Sequence, residues 1–228
     1  MPVLRRRVAG LRMTVRDIMM RGSDRTSRPQ PRVAAVILAA GRSVRMGMVN
    51  KLLIKLGDKE MVAHVADHVL ASLARPVVVV TGHEAPLVQA ALGDRPVIIA
   101  HNPEFAQGLA GSLRAGVAAL PPEIDAALIC LGDMPLVGPA VLDRLIAAYA
   151  AGDGDICVPT VGRRLGNPIL WDRRHFPTFA GLNGDEGARR LLACPGATVV
   201  EIEIGDGSIV TDIDTSEDVA RMAGCRRA

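Results

Sequence analysis

The fold is decided by residues 33–51, which read Val33-Ala-Ala-Val-Ile-Leu-Ala-Ala-Gly-Arg-Ser-Val-Arg-Met-Gly-Met-Val-Asn-Lys51. The first eight residues are apolar, a length that predicts a buried parallel strand. The loop that follows contains two glycines and three cations within eleven residues: Gly41, Arg42, Arg45, Gly47 and Lys51. Backbone N–H groups and cations at the carboxyl end of a buried strand suit a polyphosphate. The alternative is a tight turn with solvated charges, but the density of cations and glycines favours phosphate binding.

The spacing of these glycines excludes two familiar nucleotide-binding loops. A Walker loop needs Gly-x-x-x-x-Gly-Lys followed by Ser or Thr, whereas Met48 follows Gly47 here. A dinucleotide-binding loop needs Gly-x-Gly-x-x-Gly, whereas Arg42 and Ser43 follow Gly41. The stretch therefore predicts a phosphate-binding loop of another type.

Beyond residue 51 the apolar pattern alternates between short β-type runs and helical periodicity. The predicted strands are 33–40, 77–80, 96–100, 125–131, 155–158, 169–171 and 198–204. The predicted helices are 59–73, 84–92, one ending near residue 120, 139–151, 173–180 and 186–193. Such alternation predicts an α/β fold in which helices cover both faces of a parallel sheet.

The amino-terminal residues differ in composition from the rest of the chain. Residues 1–32 contain nine arginines and two aspartates, so their net charge is +7. Because the whole chain has a net charge of +3, residues 33–228 have a net charge of −4. We interpret 1–32 as a disordered basic extension and 33–228 as one folded domain. The alternatives for the extension are a transit peptide, a nucleic-acid-binding arm, or residues upstream of a later start codon.

The composition of the chain also bears on partners and compartment. Aromatic residues make up only 2% of the chain, which argues against single-stranded nucleic acid as a partner, because such binding relies on aromatic stacking. No apolar run approaches the roughly 18 residues of a membrane span, so we expect no membrane partner. The four cysteines include no Cys-x-x-Cys pair, and we interpret them as reduced packing residues of a cytoplasmic protein.

Carboxylates occur at two places where a strand is expected to end. Asp133 follows the buried run 125–131, at the edge where open α/β sheets bind ligands, and a carboxylate there can hold Mg²⁺. Asp212 and Asp214 point to the same face if the segment is extended, and they would repel each other without a cation between them. The alternatives are a turn residue at 133 and a helix cap at 212–215.

A third group of candidate metal ligands lies on the helix predicted at 59–73. His64, Asp67 and His68 lie within about one helical turn of one another there. Because no further ligand cluster accompanies them, we interpret them as a polar helix face.

These segments together resemble the MobA-like NTP transferase family, and within it the molybdenum cofactor cytidylyltransferases. The stretch 38–51 fits the signature Leu-Ala-Ala/Gly-Gly-x-x-x-Arg-Met-Gly-x-x-x-Lys, and 131–135 fits its Gly-Asp-Met/Gln-Pro element. Further matching segments are Thr81-Gly82-His83, Asn102-Pro103, Gly166-Asn167-Pro168, Gly184-Asp185-x-Gly187-Ala188-Arg189 and Asp212-Ile213-Asp214. Ser216 stands where the family usually has proline in the last of these elements.

The resemblance implies a three-layer α/β/α sandwich with a mostly parallel, Rossmann-like sheet of the nucleotide-diphospho-sugar transferase type. It implies a Mg²⁺-dependent transfer of CMP from CTP to the phosphate of a molybdopterin-type acceptor, with release of pyrophosphate. The implied catalytic residues are Arg45, Lys51 and Asp133. The implied nucleotide-binding residues are Leu38, Ala39, Ala40, Gly41, Arg42, Lys51, Thr81 and Ser112. The implied acceptor-binding residues are Asn167, Pro168 and Asp185, and the implied metal ligands are Asp133, Asp212 and Asp214.

Two other functions stay open at this point. Some relatives in this branch are oxidoreductases of heterocyclic pigments, such as nicotine blue oxidoreductase, although no dinucleotide fingerprint is present. A non-catalytic chaperone that carries the cofactor to a molybdenum hydroxylase is the other alternative, and a hydroxylase is a possible partner of the enzyme as well. The choice of CTP over GTP rests on Ala40, where guanylyl-type relatives carry glycine, because its methyl group would narrow the loop beside the base.

Overall fold

The structure is a computed structural model, and it describes residues 4–8, 30–42, 50–213 and 218. The strands of the large sheet are β1 (Leu4–Val8), β2 (Val33–Ala39), β5 (Val77–Thr81), β6 (Ile98–His101), β7 (Ala126–Leu131), β8 (Ile156–Val161), β9 (Arg164–Leu165), β10 (Ile169–Asp172) and β11 (Thr198–Glu203). A separate two-stranded ribbon is formed by β3 (Lys55–Leu56) and β4 (Lys59–Glu60). The α-helices of the described residues are α1 (Met61–Ala71), α2 (Ala85–Leu92), α3 (Leu109–Ala118) and α4 (Pro139–Ala150).

The large sheet is mostly parallel. Its strand order is β1-β11-β8-β10-β7-β2-β5-β6, with β9 paired to β8. Strands β6, β5, β2 and β7 are parallel neighbours, and β8 and β11 form a second parallel pair. Between these two groups β10 runs antiparallel to both β7 and β8. The α/β class with a mostly parallel sheet, predicted from the sequence, is confirmed.

The direction of winding changes between β2 and β7. From β2 the chain builds β5 and β6 on one side, and it then crosses back to place β7 on the other side of β2. The paired register brings Leu38 beside Leu131 at the carboxyl ends of these two strands. Ligands of open α/β sheets bind in the crevice that forms at such a point.

The core lies in two layers, one on each face of the sheet. Alternate residues of β2 divide between them, so that Ile37 packs with helices α1, α2 and α4, and Val36 packs with α3. Phe179, from a 3₁₀ segment at Arg173–Gly181, completes the second layer. Burial of one aliphatic side chain stabilises the fold by about 1.5–3 kcal/mol. The two aliphatic layers therefore hold helices against both faces of the sheet, which gives the three-layer α/β/α sandwich.

Two predicted helices differ from the observed ones. The segments predicted as helices at 173–180 and 186–193 are 3₁₀ helices, Arg173–Gly181 and Ala188–Ala193. The first of these contains Pro177, whose missing N–H and ring do not suit an α-helix interior. The helix predicted from residue 59 begins at Met61, because Lys59 and Glu60 pair in the β3–β4 ribbon.

One segment of the predicted disordered extension 1–32 is described by the structure as a strand. Leu4–Val8 forms β1, which pairs antiparallel with β11 from Leu4 opposite Ile202 to Val8 opposite Thr198. An edge strand presents unpaired N–H and C=O groups, and β1 satisfies those of β11. Backbone pairing overrides the polar composition on which the disorder prediction rested. Residues 1–3 and 9–29 lie outside the described residues.

The side chains of His64, Asp67 and His68 on α1 are partly exposed. Asp67 accepts hydrogen bonds from Lys59 Nζ at 2.9 Å and from Arg95 Nε at 2.6 Å. His64 Nε2 lies 2.7 Å from the carbonyl oxygen of Leu56. Across the described ranges, no group of three or more His, Cys, Asp or Glu side chains could hold a metal ion.

The cysteines of the described residues are reduced thiols: Cys130 and Cys157 are buried and Cys194 is partly exposed. Burial raises the pKa of the Cys130 and Cys157 thiols to about 12, which keeps them protonated and unreactive near neutral pH. Within the described residues, no helix is long and apolar enough to cross a membrane.

Candidate active site

Lys51 is held in place by its two neighbours. The side chain of Asn50 caps the 3₁₀ turn Lys51–Leu53 by accepting a hydrogen bond from the N–H of Leu52 at 3.1 Å. Leu52 is only 4% exposed and packs in the first core layer. The short turn therefore projects the lysine from the end of the phosphate-loop segment with its backbone anchored on both sides.

Asp133 follows β7 and lies next to Lys51, because Gly132 allows the ends of β7 and β2 to approach each other closely. The N–H of Gly132 donates to the carbonyl oxygen of Leu38 at 3.0 Å. A Cβ on residue 132 would lie 3.0 Å from that oxygen and 3.2 Å from Cδ2 of Leu52. A side chain at 132 would therefore require Leu38 or Leu52 to shift by a few tenths of an ångström next to Asp133.

The Lys51 ammonium and the Asp133 carboxylate form an ion pair at the switch point. Nζ of Lys51 lies 2.5 Å from Oδ2 of Asp133, and the two side chains are 16% and 19% exposed. The second oxygen, Oδ1 of Asp133, is buried and has no hydrogen-bond partner among the described residues. A buried carboxylate oxygen without a partner is costly, so it suits a further cation or hydrogen-bond donor.

The segment after β11 joins this site through its main chain. The N–H of Ile213 donates to the carbonyl oxygen of Asp133 at 3.0 Å. Ile213 is buried with Leu56 and Met61, and the preceding Asp212 is exposed. This hydrogen bond ties the segment that contains Asp212 to Asp133. The predicted ligand Asp214 lies outside the described residues.

The start of the predicted phosphate-binding loop is buried, and the chain becomes exposed at Gly41 and Arg42. Leu38, Ala39 and Ala40 are 8%, 1% and 3% exposed, and Gly41 and Arg42 are exposed. The methyl group of Ala40 packs toward Gly82, since a Cβ on residue 82 would lie only 2.9 Å from it. Residues 43–49, including the predicted catalytic Arg45, lie outside the described residues.

Thr81 and Ser112, both predicted to bind the nucleotide, lie on opposite faces of the sheet. Thr81 is the last residue of β5 and follows the alternation of Val77 and Val79, which pack in the first core layer. Its buried Oγ1 has no hydrogen-bond partner in the described ranges. Ser112 lies in the first turns of α3, which packs on the second face. The structure therefore does not bring these two hydroxyl groups together on one face.

The predicted acceptor-binding residues lie on two loops that contact each other. Asn167 and the buried Pro168, joined by a cis peptide bond, follow Gly166 between β9 and β10. One guanidinium nitrogen of Arg189 donates to the carbonyl oxygen of Gly166 at 3.1 Å. This contact ties the loop of Asn167 to the loop that contains Asp185.

A second contact brings the Asp185 loop to the amino terminus of α3. Gly108 has a φ of 111°, and a Cβ there would lie 2.2 Å from the carbonyl carbon of Gly184. The N–H of Ala110 donates to the carbonyl oxygen of Gly184 at 3.0 Å. Asp185, which is exposed, therefore stands beside the first turn of the helix that carries Ser112.

Asn102 is a residue of this region that was not assigned a role from the sequence. It is 5% exposed, and its side chain donates to Oγ of Ser112 at 3.1 Å. The signal that could have found it was the Asn102-Pro103 pair, which belongs to the family pattern but carries no chemistry that the sequence reveals.

Fold and site together define an α/β protein with a paired lysine and carboxylate at the switch point of a mostly parallel sheet, an arrangement that fits a nucleotidyltransferase. The MobA-like NTP transferase domain family matches residues 35–201, and the chain belongs to that family. The match begins in β2 and ends within β11, so it includes the Lys51–Asp133 site.

Several known proteins are similar over most of the chain. Nicotine blue oxidoreductase of Paenarthrobacter nicotinovorans is 31% identical over 199 residues, which cover 84% of this chain and 97% of that protein. The crystal structure of Rv0371c from Mycobacterium tuberculosis superposes with a TM-score of 0.75 at 28% identity, covering 86% of this chain and 100% of that one. The same mycobacterial protein has also been solved in complex with manganese, at a TM-score of 0.70 and 26% identity.

A nucleotidyl transferase from Methanothermobacter, Mth528, is similar as well. Its structure superposes with a TM-score of 0.73 at 27% identity and covers 85% of this chain and 96% of its own. The family match and this neighbour support a nucleotidyltransferase of the MobA-like type.

Proposed function

We propose that this protein transfers CMP from CTP to the phosphate of a molybdopterin-type cofactor and releases pyrophosphate. The observation that carries the proposal is the Lys51–Asp133 pair at the β2–β7 switch point, in a chain of the MobA-like family. A cation for phosphate oxygens and a carboxylate for a metal ion are the two groups that this reaction needs at one place.

The residues at the switch point fit a divalent cation. Asp133 offers a buried Oδ1 that accepts no hydrogen bond within the part of the chain that the structure describes. Hard cations such as Mg²⁺ prefer oxygen ligands. Asp212 lies on the segment that is hydrogen-bonded to Asp133. The manganese complex of the mycobacterial relative supports the use of a divalent metal. When bound, the metal ion would neutralise charge on the nucleotide phosphates.

Catalysis by the chain itself would consist of positioning and charge stabilisation. An oxygen of the acceptor phosphate attacks the α-phosphorus, and the bond from that phosphorus to the β-phosphate oxygen breaks. The acceptor phosphate is already ionised near neutral pH, so no protein nucleophile is needed. Lys51, Arg42 and the loop N–H groups would stabilise the departing pyrophosphate. Arg45 is proposed for the same role.

The acceptor would lie along the two loops that Arg189 connects. Asn167 and Pro168 stand on one of them and Asp185 on the other, and both flank the carboxyl edge of the sheet. The pterin identity of the acceptor comes from the family resemblance. A molybdenum hydroxylase that receives the finished cofactor, and a cytoplasmic location, belong to the same proposal.

A panel of nucleotides tests this function. Purified protein is incubated with Mg²⁺ and CTP, GTP, ATP or UTP, with and without molybdopterin, and pyrophosphate release is measured. We expect release only with the acceptor present and most efficiently with CTP. Pyrophosphate release that needs no molybdopterin, or that depends on a sugar phosphate instead, would show that molybdopterin is not the acceptor.

The similarity to nicotine blue oxidoreductase supports a second candidate function, the reduction of a heterocyclic pigment. That chemistry needs an electron donor, so the purified protein should then oxidise NADH or NADPH in the presence of such a pigment. We expect no such oxidation, since the sequence contains no Gly-x-Gly-x-x-Gly loop after β2. Oxidation of NADH or NADPH, together with no pyrophosphate release in the nucleotide panel, would favour the oxidoreductase function.

A further inference from the structure

Asn102 joins three chain segments at the carboxyl edge of the sheet. Its N–H donates to the carbonyl oxygen of Thr81 at 2.8 Å, which ties it to the end of β5. Its side-chain oxygen accepts the N–H of Glu104 at 3.0 Å, and its side-chain nitrogen donates to Oγ of Ser112 at 3.1 Å. Both polar atoms of the side chain are thus hydrogen-bonded, and the residue is only 5% exposed.

The contact with Glu104 decides which way round the amide lies. A main-chain N–H can only donate, so the oxygen of the amide must face Glu104 and the NH₂ group must face Ser112. Ser112 therefore accepts a hydrogen bond from Asn102 and keeps its own hydroxyl proton to donate. Among the residues that the structure describes, the Ser112 hydroxyl donates to no acceptor, and the residue is 4% exposed.

Gly111 leaves the space that this arrangement occupies. A Cβ on residue 111 would lie 3.2 Å from Nδ2 of Asn102, which is closer than ordinary contact, so the amide would have to move by a few tenths of an ångström. Glycine is unfavourable within a helix, so Gly111 does not stabilise α3. Its lack of a side chain instead leaves room for the amide of Asn102.

We propose that Asn102 is a positioning residue that makes Ser112 a hydrogen-bond donor to an acceptor atom of the bound nucleotide. The inference rests on the proposed function, because it takes Ser112 as a nucleotide contact. It adds to that function the polarity of the contact: an oxygen or unprotonated ring nitrogen of the ligand is recognised, and an N–H group at the same place is not.

The variant Asn102→Asp tests the polarity directly. One carboxylate oxygen still accepts the N–H of Glu104, whereas the other can only accept, so it takes the Ser112 proton away from the ligand. Loss of one neutral hydrogen bond predicts a Kd for CTP about tenfold higher. The increase should appear in KM, with kcat at saturating CTP unchanged. Binding is measured by titration calorimetry, and folding by thermal melting.

A double-mutant cycle shows whether the effect passes through Ser112. In a Ser112→Ala background, Asn102→Asp should change the CTP Kd by less than about twofold. Repulsion between the new carboxylate and the triphosphate would instead persist in both backgrounds. Asn183→Asp, in the exposed loop before Gly184, controls for the added charge and should leave the Kd unchanged.

Gly111→Ala provides a second variant in which stability and function should move apart. Alanine favours the helix, so the melting temperature should hold or rise, while displacement of the amide should raise the CTP Kd. Equal losses for Asn102→Asp in both backgrounds, or no loss in either variant, would overturn the inference alone. Wild-type protein that binds no CTP would overturn the proposed function, and the inference would fall with it.

Discussion

Lys51 Nζ and Asp133 Oδ2 lie 2.5 Å apart at the carboxyl ends of two parallel strands, although 82 residues separate them in the chain. The proposed function assigns each of the two groups a role in nucleotidyl transfer, and in this structure they form an ion pair with each other. Bound triphosphate would attract the ammonium and a divalent cation would attract the carboxylate, so the nucleotide and the metal replace the same ion pair.

Asp133→Asn should abolish transfer and leave the fold intact. The amide keeps the shape of the side chain but removes the charge that holds a cation, and loss of one such electrostatic group costs on the order of 10²-fold or more in kcat. Pyrophosphate release at limiting Mg²⁺ is the measurement. Asp58→Asn, in the exposed turn of the β3–β4 ribbon, is the matched control. Near-wild-type turnover of Asp133→Asn would remove this residue from the metal site.

Lys51→Gln should separate metal binding from nucleotide binding. Without nucleotide, the variant should bind Mn²⁺ more tightly than wild type, because the ammonium no longer competes for Asp133. Its affinity for CTP should fall by about 1.5–3 kcal/mol, the value of a hydrogen bond to a charged group. Mn²⁺ is titrated by electron paramagnetic resonance and CTP by calorimetry.

The control for this experiment is Lys55→Gln, whose side chain is 65% exposed and lies opposite Glu60 in the ribbon. It removes the same charge and should change neither affinity. Weaker Mn²⁺ binding by Lys51→Gln would show that the ion pair orders the carboxylate for the metal instead of competing with it.

Wild type should prefer CTP over GTP, and Ala40→Gly should reduce that preference. The Ala40 methyl packs toward Gly82 at the start of the phosphate loop, so its removal gives the loop backbone more freedom. Crowding of about 1–3 kcal/mol corresponds to roughly tenfold to a hundredfold discrimination. The measurement is kcat/KM for CTP and GTP with one acceptor.

The two outcomes of that measurement answer separate questions. A wild-type preference for GTP would contradict the cytidylyl assignment. An unchanged CTP preference in Ala40→Gly would leave the assignment standing and would remove Ala40 as its cause.

Removal of residues 1–29 should cost stability but not activity per folded molecule. Without β1, the N–H and C=O groups of β11 are left unpaired, which favours self-association through that edge. We expect a Tm lower by roughly 2–6 °C and a larger apparent mass at high protein concentration. Arg6→Pro, which disrupts the pairing opposite Val200, should reproduce both effects in the full chain. An unchanged Tm in both variants would restore the view of a wholly dispensable extension.

The Asp67 carboxylate should contribute stability that is lost in acid. Its hydrogen bond from Arg95, together with Lys59, lowers its pKa from 3.8 to about 2 against the opposing effect of burial. A depressed pKa stabilises the fold above the unfolded-state pKa, and the contribution disappears as the pH falls from about 4 to about 2. Asp67→Asn should therefore melt below wild type at pH 7, and the difference should shrink toward pH 2. A constant difference would assign the loss to packing.

Sequence alone determined the class of the fold and the loop at its centre. The aliphatic run before Gly41 can only be a buried strand, and the alternation after it leaves little choice but a parallel sheet. It also located Lys51 and Asp133, because strand ends are visible as the points where an apolar run meets glycine or charge. These features are local, and local patterns are what a sequence shows.

The tertiary structure decided which of these residues meet. The 2.5 Å contact of Lys51 with Asp133 depends on the strand order of the sheet. It also depends on Gly132, which lets the ends of β7 and β2 approach each other closely. The hydrogen bond of Asn102 to Ser112 depends on the packing of α3. Strand β1 depends on the edge of β11, whose Thr198 pairs with Val8, 190 positions earlier in the chain. Such contacts arise because distant segments bury a common surface, and no spacing along the chain records them.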